Sequence, residues 1–214
     1  MNTKIKEIIQ VLPGHQAVPK IKATFVRRKE DYDFGWPGEI YDGEAALKKY
    51  IQQIQETTEE LGLDIEINPQ PIYSDQDATK FINQLSNESP DGALVVLLDR
   101  QQHSWPTANR VIDTGIPTIV FAPIGAAFTP NVREPAKKTG AYVVSSMDFD
   151  AVKYGLKMIK AHKQMSESNI IILKGGQSSQ EEIENLGTKI KIYPVDRFKT
   201  EYYKVAETDE VKEI

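Results

Sequence analysis

The 214-residue chain contains no cysteine at all. That absence excludes a disulfide scaffold, a thiolate zinc site and a cysteine nucleophile together. Histidine is scarce too: with only three, His15, His103 and His162, a histidine-rich metal site has little to draw on. A basic excess is missing, since 26 Lys and Arg stand against 31 Asp and Glu and leave a formal charge of −5. Nucleic-acid binders and membrane-surface proteins normally carry the opposite balance or a basic patch, so neither partner is expected. No apolar run approaches the roughly 20 residues that span a bilayer. The opening MNTKIKE carries acid where a secretory leader is apolar, and a cytoplasmic location is expected. The hydrophobic share of 40% is nevertheless enough for a buried core.

What is present is an alternation of β-branched runs with segments of helical period. Residues 22–28 (KATFVRR) read as a strand. In 44–61, Leu47, Tyr50, Ile51, Ile54 and Leu61 recur at helical steps and share one face, with Gly62 as the stop. Residues 64–73 alternate apolar and polar, and Pro69 and Pro71 confine them to a sheet edge. Ser74 and Asp77 form a capping signal ahead of Ala78, Phe81, Ile82 and Leu85. The unbroken apolar run in 91–99 (DGALVVLLD) predicts a central parallel strand covered on both faces. A short helix over 107–114, strands at 117–122 and 141–145, and a helix from 148 to about 165 complete the series. Serial β-α-β units predict an α/β fold, a doubly wound, flavodoxin-like parallel sheet with helices on both faces.

The organisation expected is an N-terminal arm over 1–20, the flavodoxin-like domain over 21–167, and an incomplete second α/β domain over 168–214. In that last part 169–174 reads as a strand, 179–186 as a short capped helix and 189–195 as a half-exposed strand. Residues 208–214 resemble the first turn of a helix, as in a chain that stops partway through a longer architecture.

Ligands of open α/β sheets bind beyond the carboxyl ends of the strands, where the strand order reverses. For the order 2-1-3-4-5 that crevice is framed by the loops 27–42 and 99–107. Both tryptophans of the chain, Trp36 and Trp105, fall in these loops together with Asp99, Arg100, Gln102 and His103. An aromatic ring beside Arg, Asp and Gln suits a sugar or other small polar ligand, because the ring packs on an apolar face while polar groups bind hydroxyls. The same tryptophans could instead cover the sheet end or sit in a subunit interface. Arg27 and Arg28 are expected to split, one inward and one solvated. No phosphate-binding glycine motif, H-E-x-x-H or G-x-S-x-G occurs, so the chain offers no recognisable cofactor site, and catalytic residues are not assigned.

The element order, together with Gly175-Gly176 and the phrase from Leu186 to Val195 (LGTKIKIYPV), resembles the opening of the second domain in the L-fucose isomerase and L-arabinose isomerase superfamily. The resemblance implies the N-terminal part of an aldose–ketose isomerase. It implies a homo-oligomer in which this region lends side chains to a neighbouring subunit's pocket, from among Trp36, Arg100, Gln102, His103 and Trp105. It also implies Mn²⁺ for the full-length family, with the metal ligands beyond residue 214 and the chain inactive alone. The alternatives are a non-enzymatic binding module of periplasmic-binding type and a structural or regulatory domain without a small ligand.

Overall fold

A computed structural model describes residues 17–29, 32–33, 40–100, 102–123, 126–127 and 129–204. The chain divides into two compact units, Met1–Ala161 and His162–Ile214.

The first unit opens with β1 (Lys20–Val26), then a two-residue antiparallel ribbon, β2 (Tyr32–Asp33) with β3 (Ile40–Tyr41). Helix α1 (Gly43–Leu61) follows. Asp42 caps it by accepting from the Ala45 N–H at 2.8 Å, and Gly62 ends it at φ 60°, a left-handed conformation that glycine adopts without strain. Next come β4 (Asp64–Ile67), α2 (Asp75–Glu88), β5 (Gly92–Leu97), α3 (Ser104–Ile112) and β6 (Thr118–Phe121). A short α4 (Thr129–Arg133), a 3₁₀ turn, β7 (Ala141–Val144) and α5 (Asp150–Glu167), whose residues from His162 on fall in the second unit, complete the run.

Five strands form one parallel sheet in the order β4-β1-β5-β6-β7. In chain order of the sheet strands this is the expected 2-1-3-4-5, and the α/β doubly wound, flavodoxin-like class holds. Alternation along the buried strands supplies the two faces. Leu94, Val96, Ile119 and Phe121 pack with Leu47, Tyr50 and Ile54 of α1 and with Val152, Leu156 and Ile159 of α5. Ala93, Val95, Leu97 and Val120 pack with Ala78, Phe81 and Leu85 of α2 and with Ala108, Val111 and Ile112 of α3. Every residue of β5 is buried, as its uncharged run requires, and the edge position falls to β4 with its downstream prolines.

The capping signal ahead of α2 is realised. The Ser74 hydroxyl donates to Asp77 Oδ2 at 2.7 Å, and its oxygen accepts from the Asp77 N–H at 3.2 Å. The hydroxyl's hydrogen bond is the main reason the Asp77 carboxyl is held below its ordinary range. Ser74→Ala is therefore expected to cost about 1 kcal/mol at neutral pH, measured by urea unfolding. A carboxylate whose folded pKa is depressed contributes stability above its unfolded pKa and loses it as the pH falls through the folded one. The gap between wild type and variant should accordingly narrow in acid, down to the part owed to the backbone cap alone.

The second unit holds a three-stranded sheet, β8 (Asn169–Leu173), β9 (Ser179–Ile183) and β10 (Thr188–Tyr193), in the order β8-β10-β9, followed by α6 (Val195–Tyr202). Central β10 runs parallel to β8 and antiparallel to β9. The helix expected over 179–186 is thus a strand at its start, because β9 satisfies its backbone against β10. Of the arm expected over 1–20, residues 1–16 lie outside the described residues, as does the terminal turn over 208–214, and Lys20 already belongs to β1. Among the described residues no helix is long and apolar enough to cross a membrane.

Candidate functional site

Strand order fixes where a ligand crevice can lie. From β1 the chain moves outward to β4 on one side; from β5 it moves outward to β6 and β7 on the other. The reversal falls between β1 and β5, which are neighbours in register through Val26 and Leu97. Just past those carboxyl ends come Arg27, Arg28 and Asp99.

Asp99 is fully buried and joins three segments. Its Oδ2 accepts the backbone N–H of Arg28 at 2.6 Å and lies 3.6 Å from Arg28 Nε. Its Oδ1 accepts the hydroxyl of Ser104, the first residue of α3, at 3.0 Å. One carboxylate therefore ties the loop after β1 to the loop after β5 and to the start of a helix. The arginines differ, although neither is fully solvated. Arg27 is buried, donating from Nε to the Arg28 carbonyl at 2.9 Å and from Nη1 to Glu44 at 2.9 Å. Its guanidinium carbon lies 3.3 Å from where a Cβ at Gly43 would stand, so the start of α1 is closely packed against it. Arg28 keeps 35% of its side chain exposed at the mouth.

His103 occupies the cap position of α3 without a side-chain capping bond. Its Nε2 is enclosed and has no hydrogen-bond partner. Because the Ser104 hydroxyl donates to Asp99 rather than to an imidazole, the trio is not the relay of a serine hydrolase. Gln102 is exposed and Arg100 half-buried beside this crevice. Trp105 sits elsewhere: it is buried among the residues under α3, and its indole N–H donates to the Ala126 carbonyl at 2.9 Å. The structure thus realises the covering reading of Trp105, and its ring is not a platform for a ligand. Trp36 lies outside the described residues. Arg28, expected only as one of a split pair, and Ser104, not singled out from the sequence, complete the site. The strand expected to run to Arg28 ends at Val26, which leaves Arg28 two residues past β1, in the loop.

A cavity of about 370 Å³ opens at the opposite, amino end of β1 and β4. It is lined by charges that already pair: Lys22 Nζ bridges Glu66 at 2.8 Å and Glu88 at 2.7 Å. Burial opposes the Lys22 charge, but hydrogen bonding and attraction from both carboxylates outweigh it and hold the amine above its ordinary range. This is a sheet-edge ion network at the end of the sheet away from the strand reversal.

No family model matches the chain, and no curated protein does. Among solved structures it is similar to a 3-dehydroquinate dehydratase-like protein from Bifidobacterium longum, at 13% identity and a TM-score of 0.42, over 67% of this chain and 96% of that one. None of these findings returns a sugar isomerase. The second unit also departs from the resemblance, since the segment expected to be a short helix after the glycine turn begins as strand β9. Membership of the L-fucose and L-arabinose isomerase superfamily, and the aldose–ketose isomerase function drawn from it, are therefore corrected. The binding module of periplasmic type finds no support either: the second unit, as described, is a small mixed sheet rather than a second doubly wound lobe. Among the described residues no group of three or more His, Asp or Glu is arranged to hold a metal ion. Mn²⁺ rested on the resemblance alone.

Proposed function

We propose that the first unit binds a small polar ligand carrying a negative charge, in the crevice where β1 and β5 deliver Arg28, Asp99 and the start of α3. The observation that carries this reading is the reversal of strand order between β1 and β5, coinciding with that cluster of polar side chains. The sign of the ligand follows from the groups at the mouth. Arg28 presents a guanidinium there, suited to gripping a carboxylate or phosphate through paired donors. The start of α3, whose cap residue makes no side-chain bond, adds the partial positive charge of a helix N-terminus. Asp99 acts as a positioning residue, holding Arg28 and Ser104 from below. Arg100, Gln102 and His103 are proposed as flanking contacts. A cytoplasmic setting is proposed with it, supported by the cysteine-free composition.

Calorimetric titration of the full chain with inorganic phosphate and, separately, malonate at low salt tests the reading. Saturable binding of one or both is expected, with Arg28→Ala weakening it about tenfold or more, equivalent to at least ~1.4 kcal/mol. Arg28→Lys should retain part of the affinity. Binding that is indifferent to Arg28→Ala, or no binding of either probe at millimolar concentration, overturns the proposal.

A further inference from the structure

The second unit contains a strand whose apolar side chains are exposed. β8 reads Asn-Ile-Ile-Ile-Leu and lies at the edge of its sheet. Its apolar residues are exposed on both faces: Ile170 42%, Ile171 64%, Ile172 37% and Leu173 42%. Neither of the two buried hydrophobic clusters draws a residue from this unit. An exposed, uncharged and proline-free edge of this kind is a template for pairing with another strand.

The two edges of the sheet differ in a way that bears on what pairs there. Across the sheet, edge strand β9 carries Glu181 and Glu182, and two copies of that edge would bring like charges together. β8 has no charge within it but is flanked by opposite ones, both exposed: Glu167 before, which also pairs with Lys163 at 3.1 Å, and Lys174 after. A strand with acid at one end and base at the other is complementary to itself when antiparallel.

We propose that β8 is the contact surface for a second copy of this chain, pairing antiparallel about a two-fold axis through Ile171. The hydrogen-bond register supports it. Lys189 N–H donates to the Ser168 carbonyl and Lys174 N–H to the Tyr193 carbonyl, so in this parallel ladder Ile170 and Ile172 address β10. Asn169, Ile171 and Leu173 consequently direct their N–H and C=O groups to the open edge. A two-fold axis at Ile171 matches Ile171 with itself and Asn169 with Leu173 of the second copy, and each such pair exchanges two main-chain bonds. Ile170 then faces Ile172 of the second copy on one side of the joined sheet. Lys174 comes next to the Glu167 end of the other strand. The result is a continuous sheet of six strands with β9 at both outer edges, where its glutamates block further addition. This contact is independent of the crevice between β1 and β5.

Sedimentation equilibrium of the full chain should give twice the 24.1 kDa chain mass. Amide exchange should show protection at Asn169, Ile171 and Leu173 that falls on dilution. Ile171→Lys should weaken self-association at least tenfold. Because a lysine there could also disturb the unit, Ile171→Pro serves as the second variant: it removes an N–H that points away from β10 and leaves the β8–β10 bonds in place. It should likewise give monomer, with the amides of β10 still protected. A wild-type chain that stays monomeric overturns the proposal, whether its β8 amides exchange freely or are covered from within. So does a dimer untouched by both substitutions.

Discussion

Asp99→Ala is expected to destabilise the first unit by about 3 kcal/mol, lowering its thermal midpoint by roughly 6–12 °C in calorimetry. The argument rests on what the carboxylate leaves behind. The Arg28 N–H and the hydroxyl of fully buried Ser104 both lose their acceptor, and a buried donor left unsatisfied costs about 1–3 kcal/mol. The charge term adds less. Arg28 is partly exposed and its Nε is 3.6 Å from the carboxylate, so its guanidinium can turn to water once Asp99 is gone. Ser104→Ala, which removes one donor to the carboxylate and leaves it the Arg28 N–H, should cost only about 1 kcal/mol. Asp99→Asn should fall between the two, keeping an oxygen for one donor. If Asp99→Ala cost no more than Ser104→Ala, the carboxylate would not be the tie between the two loops. Anion binding adds a second readout. With Arg28 released, the affinity for phosphate or malonate should fall in Asp99→Asn even where the fold survives.

The parts of this molecule that could be read from the sequence are those where local pattern and tertiary demand coincide. The uncharged run of 92–98 has one stable place, the middle of a parallel sheet, and β5 occupies it with every residue buried. Ser74 with Asp77, and Gly62 after Leu61, are end signals whose chemistry is local, and both operate as such. Where local and tertiary demands compete, the pattern misleads. Ser179-Gln-Glu-Glu-Ile has the composition of a helix start, yet its backbone pairs with β10, with Glu182 opposite Lys189 and Glu181 opposite Ile190. Trp105 misleads for a related reason. Pro106 suggests a loop running on to residue 107, but proline is tolerated in the first turn of a helix, where its missing N–H would have had no partner. Helix α3 therefore begins at Ser104, and that places Trp105 under the helix rather than in a rim. The site was legible to the level of its loops, because strand order locates the crevice. Which arginine turns inward was not, since that depends on exposed Glu44, at the start of α1, reaching the Arg27 guanidinium at 2.9 Å.

The face of the sheet beneath α1 and α5 gives the largest expected loss. Phe121 of β6 is fully buried between two other rings. It meets Tyr50 of α1 edge-on at 5.3 Å and 79°, and Phe149, just before α5, at 5.5 Å and 88°. Tyr50 and Phe149 stack at 5.9 Å and 26°. One side chain thus couples the sheet to both helices of that face, in the edge-to-face geometry that aromatic quadrupoles favour. Phe121→Ala should cost about 4 kcal/mol, combining lost transfer energy with the cavity left behind, and lower the thermal midpoint by roughly 8–16 °C. Phe121→Leu, which fills much of the same space, should cost less than half as much. Tyr50 provides a spectroscopic reporter. Burial pushes its phenol above the ordinary value of 10.0, so a cavity that admits water at Phe121→Ala should bring the tyrosinate absorbance to lower pH. A group whose neutral form is favoured in the folded state loses stability as the pH rises past its unfolded value. The variant, with that preference weakened, should unfold less steeply with alkali even though it starts less stable. A loss below about 1 kcal/mol with the Tyr50 titration unchanged would mean that α1 and α5 close over the gap, and that Phe121 is not what couples them to the sheet.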